Sequence, residues 1–181
     1  NYDSDDHAVV VHLATPLRAG EKTSITIDFD GANRTKGAYF RPARHIVWTQ
    51  GETEDTHFWV PTYDFPNDKT TWEILVTADT GVSVLSNGRL VEVTNAPGGA
   101  KKIWHWSQEL PASTYMYSIV AAKFSILRDN WRGIPVEYWV ASDTVNAGWR
   151  TFGETPSMIE ITISINEAGE VVIPHSADDE T

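Results

Sequence analysis

The chain has 181 residues, 41% of them hydrophobic, which predicts a globular protein of one domain, or of one domain plus the edge of a second. Its net charge of −11, without a basic patch, argues against a nucleic-acid partner, and no apolar run approaches the roughly 18 residues of a membrane span. The absence of cysteine excludes disulfides, thiolate metal sites and cysteine nucleophiles.

Alternating polar and apolar residues predict about nine short strands along most of the chain. Such a series, with turns between the strands, is typical of a mainly β fold, namely an antiparallel β-sandwich or saddle. Ten segments carry the pattern to some degree: 8–13, 24–29, 37–40, 45–49, 71–78, 82–86, 89–94, 101–106, 115–127 and 135–140.

Turn signals separate these strands. Asn87-Gly88 predicts a tight hairpin between its flanking strands, and further turns are expected at 96–99 and 129–133. The segment 61–69 contains two prolines and an Asn-Asp pair, which do not suit a central strand. We therefore expect an ordered loop there.

The tail carries two conflicting signals. Residues 143–153 favour a helix, whereas the β-branched alternation at 161–165, followed by a turn and by 171–173, favours a hairpin. We expect a short helical or hairpin tail. The predicted organisation is a β-saddle domain over 1–141 and a linker with a divergent tail over 142–181.

Catalytic motifs are missing from the sequence. The six histidines include no H-E-x-x-H pair, and there is no G-x-S-x-G elbow, phosphate-binding loop or dinucleotide fingerprint. The sequence therefore predicts neither a catalytic residue nor a metal site of a common type.

An acidic cluster at 50–57 is the most distinctive polar segment, with three carboxylates and one imidazole within six residues. One interpretation is a solvated acidic turn. A second is a metal site formed by Glu54 and His57, with His45 as third ligand. A third is recognition of an ammonium or other cationic group by the carboxylates.

Eight tryptophans are many for this length. They fit packing between sheets, and they also fit an aromatic surface that binds a sugar or a peptide, because flat rings bury much area.

Several separated motifs carry a family resemblance. Residues 48–52 (WTQGE) and 58–69 (FWVPTYDFPNDK) resemble the N-terminal domain of the gluzincin zinc aminopeptidases, the family of aminopeptidase N and leukotriene hydrolase. The likeness continues through 84–90, 111–115 and 150–160. It covers about residues 8 to 160, and the shared order of the motifs makes it specific.

The resemblance implies a saddle of antiparallel sheet and a substrate-binding role for Gln50 and Glu52. In the family, the glutamate helps to hold the free α-amino group of a peptide, and the glutamine lines the pocket for the first side chain. Zinc is the cofactor of the full-length family, but its ligand motifs do not occur in this sequence. The resemblance thus implies a non-catalytic, substrate-recognition domain truncated before the catalytic domain.

Two further expectations complete the sequence-based account. Exposed sheet edges predict self-association into a homo-oligomer. The alternative function is a free-standing β-module that binds a sugar or a peptide, or a hydrolase whose site lies outside the family pattern.

Overall fold

The computed structural model describes residues 2–4, 9–31, 36–153, 155, 164–165 and 171–172. These residues are mainly β, with antiparallel strand pairing throughout, as the sequence predicts. The elements are β1 Tyr2–Ser4, β2 Val9–Val11, β3 Ala38–Arg41, β4 Ile46–Thr49, β5 Lys69–Asp79, β6 Ser83–Ser86, β7 Arg89–Asn95, β8 Lys101–Ser113, β9 Ile119–Ala122, β10 Phe124–Trp131, β11 Ile134–Ala141, α1 Val145–Phe152, β12 Ser164–Ile165 and β13 Val171–Val172, with 3-10 helices at Pro42–Arg44, Thr56–Phe58 and Thr114–Met116.

Helices in the described part of the chain are too short or too polar to cross a membrane.

The chain divides into two units, of which the first is Asn1–Gly31. Its strands β1 and β2 pair antiparallel, with Tyr2 opposite Val11. The predicted strand at 24–29 is wrong, because these residues join no ladder within the described chain. Ile25 and Phe29 are 54% and 56% exposed. Alternation supplies an apolar face, but a strand also needs a neighbour to pair its backbone groups.

The second unit, Ala32–Thr181, contains the main sheets. Nine strands lie between residues 36 and 153, one more than the sequence predicts there, because the predicted strand at 115–127 contains parts of two strands. They form a four-stranded sheet in the order β3-β4-β9-β6, a three-stranded sheet in the order β5-β8-β7, and the β10-β11 pair. Val84 is fully buried at the centre of the core and pairs with buried Ala121.

One face of the three-stranded sheet is aromatic. Trp104 and Trp106 of β8 lie opposite Val76 and Ile74 of β5, so that these side chains share a face. The ring of Trp72, farther along β5, lies 4.4 Å from that of Tyr117. The indole nitrogens of all three tryptophans are buried. These tryptophans pack the interior rather than form an exposed binding surface.

Asn87-Gly88 connects two sheets instead of closing a hairpin, which corrects the prediction. β6 pairs with β9, whereas β7 pairs with β8. Gly88 has φ +86, and a Cβ at this position would clash with the carbonyl of Ser107. A glycine is required here because the backbone is left-handed and passes directly against β8.

The predicted long strand at 115–127 is also wrong, because the chain forms a 3-10 helix at Thr114–Met116 followed by β9 and β10 in different sheets. The Thr114 hydroxyl donates to the Asp64 carboxylate at 2.9 Å and also lies 3.3 Å from the Tyr63 carbonyl oxygen. These bonds to another loop hold the backbone in a turn, an influence that local alternation does not reveal.

The β10-β11 hairpin and helix α1 pack together. The turn is narrower than predicted: Arg132 and Gly133 have φ 50 and 86, and Trp131 pairs directly with Ile134. Two positive φ values in a two-residue loop suit the twist of a hairpin. The helix predicted at 143–153 is confirmed as α1.

The tail retains its hairpin character where it is described, because β12 pairs antiparallel with β13, Ser164 opposite Val172. The rest of the predicted hairpin, at 161–163, 166–169 and 173, lies outside the described residues.

Candidate functional site

A cleft of about 220 Å³ lies at one end of the four-stranded sheet. Because β9 runs antiparallel to both β4 and β6, its first residues meet the last residues of those two strands. Nine residues line the cleft: Thr49, Gln50, Gly51, Glu52, Asn87, Tyr115, Met116, Tyr117 and Ser118. The topology thus brings together three segments that are distant in sequence.

The two predicted site residues, Gln50 and Glu52, both line this cleft. They directly follow β4, and both are exposed. The N–H of Gln50 donates to the carbonyl of Gly37 at 2.8 Å, which fixes the segment where it leaves the strand. At the end of β4, Thr49 Oγ1 accepts a 2.9 Å bond from the N–H of Ile119 and joins this wall to β9.

Gly51 is buried between the two predicted residues. A Cβ on this glycine would lie 2.5 Å from the carbonyl oxygen of Tyr115 and would also strike the Thr56 hydroxyl. Real side chains do not approach so closely, and only glycine lets the Gln50–Glu52 backbone lie directly against the 3-10 helix. The spacing of Gln50 and Glu52 in the cleft therefore depends on the residue between them.

The opposite wall is tied to the sheets by hydroxyl groups. Ser118 Oγ donates to Asn87 Oδ1, and Ser86 Oγ donates to the carbonyl of Ser118 at 2.6 Å. Tyr117 is half-buried beside Trp72. Burial raises the pKa of its phenol above the ordinary value, and a hydrogen bond with the Thr62 side chain lowers it by less. Tyr117 thus connects the cleft to the aromatic face of the three-stranded sheet.

The charged and imidazole side chains of the acidic cluster lie in different environments. Glu54 is exposed, as a solvated turn predicts. Asp55 is not an ordinary solvated carboxylate, because its side chain is only 22% exposed and pairs with Lys36 Nζ at 3.0 Å. The N–H and Nδ1 of His57 both contact Asp64 Oδ2 at 2.9 Å. Among the described residues that line the cleft, only Glu52 carries a carboxylate.

The metal interpretation of this cluster is wrong. The structure brings His45, Glu54 and His57 into no group of His, Cys, Asp or Glu that could hold a metal ion, and the rest of the described chain contains none either. The Nδ1 atom of His57 is instead engaged by Asp64. A zinc site with three protein ligands does not fit these residues.

Sequence reasoning missed the far wall of the cleft. The local pattern predicts a turn at Asn87 and the start of a strand at 115–118, and neither prediction indicates a cleft wall. The available signal was the pair of motifs around 84–90 and 111–115, because both belong to the same family pattern as Gln50 and Glu52.

A family model described as the Peptidase M1 N-terminal domain matches residues 1–116. One relative, the probable M1 family aminopeptidase 2 of Encephalitozoon cuniculi, is 26% identical over 156 residues, which cover 83% of this chain and 18% of the relative. The transcription initiation factor TFIID subunit 2 of Gallus gallus is 28% identical over 102 residues, 56% of this chain and 8% of the relative. The chain therefore spans less than a fifth of the length of these curated relatives.

A solved structure of Legionella pneumophila aminopeptidase A, in complex with aspartic acid, resembles the fold with a TM-score of 0.53. The identity is 22%, and the match covers 61% of this chain and 14% of the other. At this level the likeness concerns the arrangement of the strands and not the ligand.

Proposed function

The chain belongs to the Peptidase M1 N-terminal domain family, and from this premise we propose that it is a non-catalytic domain that holds the free N-terminus of a peptide substrate. Glu52 pairs with the α-ammonium group, and Gln50 lines the space for the first side chain. The observation that carries the proposal is that both residues line one cleft, although they were selected from the sequence alone.

The chemistry of the cleft supports this role. An ammonium donates three hydrogen bonds, and a carboxylate accepts them in charge-assisted bonds that are stronger than neutral ones. An N-acetylated peptide has no such cation, so that a cleft with Glu52 discriminates between free and blocked N-termini. Gly51 supports the geometry because it fixes the backbone between Gln50 and Glu52 against the 3-10 helix.

The described residues supply recognition and no bond-breaking step. Zinc hydrolysis needs three protein ligands and an activated water, and the described chain brings no such ligand group together. In an aminopeptidase, the zinc and its ligands would therefore come from outside these residues. The role of the described cleft is to orient the substrate amine.

A second candidate is a non-enzymatic role as a subunit of a larger assembly. The relatives named transcription initiation factor TFIID subunit 2, from Gallus gallus, Danio rerio and Drosophila melanogaster, favour it. On this alternative the M1 fold serves protein contacts, and Glu52 has no ammonium to bind.

One titration distinguishes the two candidates. The ¹⁵N-labelled chain is titrated with leucine amide and with N-acetyl leucine amide, and the backbone signals of Gly51, Asn87 and Ser118 are followed. Because the cleft is open to water, we expect an affinity weaker than millimolar, which chemical shifts still measure at high ligand concentration. Shifts that need the free amine support the proposal, and shifts that ignore acetylation contradict it.

The control variant is Glu54→Gln, which removes one negative charge from the same acidic cluster at a residue that does not line the cleft. Glu52→Gln should abolish the dependence on acetylation, whereas Glu54→Gln should retain it. Equal effects of the two variants would show that the cluster acts only through its overall charge.

A further inference from the structure

The ionisable groups that line the cleft favour negative over positive charge. Among the described residues, nine line it; Glu52 is the one acidic residue of these nine, and none of them is a lysine or arginine. Two basic residues beside the cleft-lining segments are paired with carboxylates. Arg89 contacts Glu109 at 2.9 Å, and Lys36 contacts Asp55 at 3.0 Å.

The remaining walls are neutral. Gln50 and Asn87 offer amides, and Met116 offers a flexible thioether that is 40% exposed. The volume of about 220 Å³ is below the roughly 300 Å³ at which ordinary ligand pockets begin. It suits the ammonium group and side chain of a single residue.

We infer that the cleft selects its ligand by the charge of the first side chain, accepting neutral and basic N-terminal residues and rejecting acidic ones. The inference rests on the proposed function, since it concerns the residue whose amine Glu52 holds. An acidic side chain would enter a space that contains a carboxylate and no cation. A neutral amide or aliphatic chain meets Gln50, Asn87 and Met116 without an electrostatic penalty, and a basic chain is attracted to Glu52.

The matched probes are glutamine amide and glutamic acid α-amide, which have the same shape and differ in one charged group. At neutral pH, we expect the acidic amide to bind up to about fivefold more weakly, equivalent to about 1 kcal/mol, the repulsion of two exposed charges at a closest approach of about 4 Å. Lysine amide should bind at least as tightly as glutamine amide. Chemical shifts at Gly51, Asn87 and Ser118 report all of these affinities.

Placing a lysine in the cleft tests whether the charge of the cleft walls causes the selection. Asn87→Lys and Met116→Lys alter different walls, so that a folding defect in one leaves the other informative. Each should reverse the order and let glutamic acid α-amide bind at least as tightly as glutamine amide. The control is Thr94→Lys, which changes the net charge equally on exposed β7, seven residues or roughly 20 Å along the chain from Asn87, and it should keep the original order.

The outcomes separate the inference from the proposed function. If acetylation abolishes binding of both amides but the two free amides bind equally, the charge selection is wrong and ammonium recognition stands. If both lysine variants fold and keep the original order, the cleft charge does not set the selection. If acetylation has no effect, or no amide produces shifts, both proposals are overturned.

Discussion

The carboxylate of Asp64 accepts two hydrogen bonds from His57, one from the backbone N–H and one from Nδ1, each 2.9 Å long. The other carboxylate oxygen accepts the hydroxyl of Thr114 at 2.9 Å. Asp64 is 8% exposed, so that water does not readily replace these partners. It therefore ties the loop that follows Glu52 to the 3-10 helix that forms the other side of the cleft.

Replacing Asp64 should destabilise the fold. Asp64→Ala removes the acceptor of the two His57 donors and the nearer acceptor of the buried Thr114 hydroxyl, and we expect the free energy of unfolding to fall by about 1 to 3 kcal/mol. Urea denaturation followed by tryptophan fluorescence measures the change. Asp68→Ala, at an exposed position of the same loop, is the control and should stay within about 0.5 kcal/mol of the original chain. Equal effects would show that the Asp64 bonds add no net stability.

The sheet-to-sheet connection at Gly88 gives a second prediction with a close control. Gly88 and Gly98 both have φ +86, but only at Gly88 would a Cβ meet the backbone of β8. Alanine at either position costs roughly 1 to 2 kcal/mol for its left-handed backbone. Gly88→Ala should cost about 1 to 3 kcal/mol more from the clash. Thermal or urea unfolding of the two variants measures the difference, and similar losses would contradict the close approach.

The burial of Tyr117 predicts that the free energy of unfolding falls at alkaline pH. Burial raises the folded-state pKa of its phenol above the unfolded value of about 10. Between these two values the unfolded chain releases the proton first. The contribution of Tyr117 is therefore fully present below pH 10 and is lost as the pH rises through the folded-state pKa.

The test compares urea unfolding of the original chain with that of Tyr117→Phe at neutral and alkaline pH. The phenylalanine variant should lose less stability over the alkaline interval, because it has no phenol to ionise. Parallel losses in the two proteins would show that other groups determine the alkaline behaviour.

Glu52 and Glu54 should differ sharply in an intact aminopeptidase that carries this domain. Glu52 is exposed in the described structure, and where the rest of the aminopeptidase covers the cleft Glu52→Ala should weaken capture of a free N-terminus by roughly 2 to 5 kcal/mol, the range for one partner of a buried charged pair. Glu54→Ala should cost about 0 to 1 kcal/mol, as exposed charges do. The measurement is kcat/KM on an aminoacyl substrate, and similar losses would remove the special role of Glu52.

Edge strand β7 leads us to expect self-association. Among the described residues it pairs only with β8, and all of its residues are exposed, Val91 among them at 40%. A dimer or larger oligomer in light scattering is the expected result, and Val91→Lys should shift it towards monomer because charge blunts an edge. Leu110→Lys, at a 76% exposed residue of β8, is the control. A monomer at high concentration would refute the expectation.

The sequence predicted those elements whose signals are local. The hairpin at Arg132-Gly133, helix α1 and the alternation of Trp104 and Trp106 depend on residues that are neighbours along the chain. The sheet partners of β6 and β7 do not, because Asn87-Gly88 has the same local signature whether the chain folds back or crosses to another sheet. Only the contact of Gly88 with Ser107 distinguishes the two.

One wall of the candidate site could be predicted from the sequence, and the opposite wall could not. Gln50 and Glu52 lie in a short recognisable motif, but Asn87, Met116 and Tyr117 reach the same cleft through strand order. That order depends on pairings such as Val47 with Ala121 and Val84 with Ala121, across separations that alternation does not encode. Predicting the far wall would have required the sheet topology itself.

Asn87 occupies the last cleft-lining position before the glycine at which the chain crosses from one sheet to the other. The chain crosses between the four-stranded and the three-stranded sheet at four places, and three of these crossings, 50–68, 87–88 and 114–118, contribute residues to the cleft. Each wall of the cleft is therefore backbone that both sheets anchor. The position of one sheet relative to the other thus sets the spacing of residues that belong to neither.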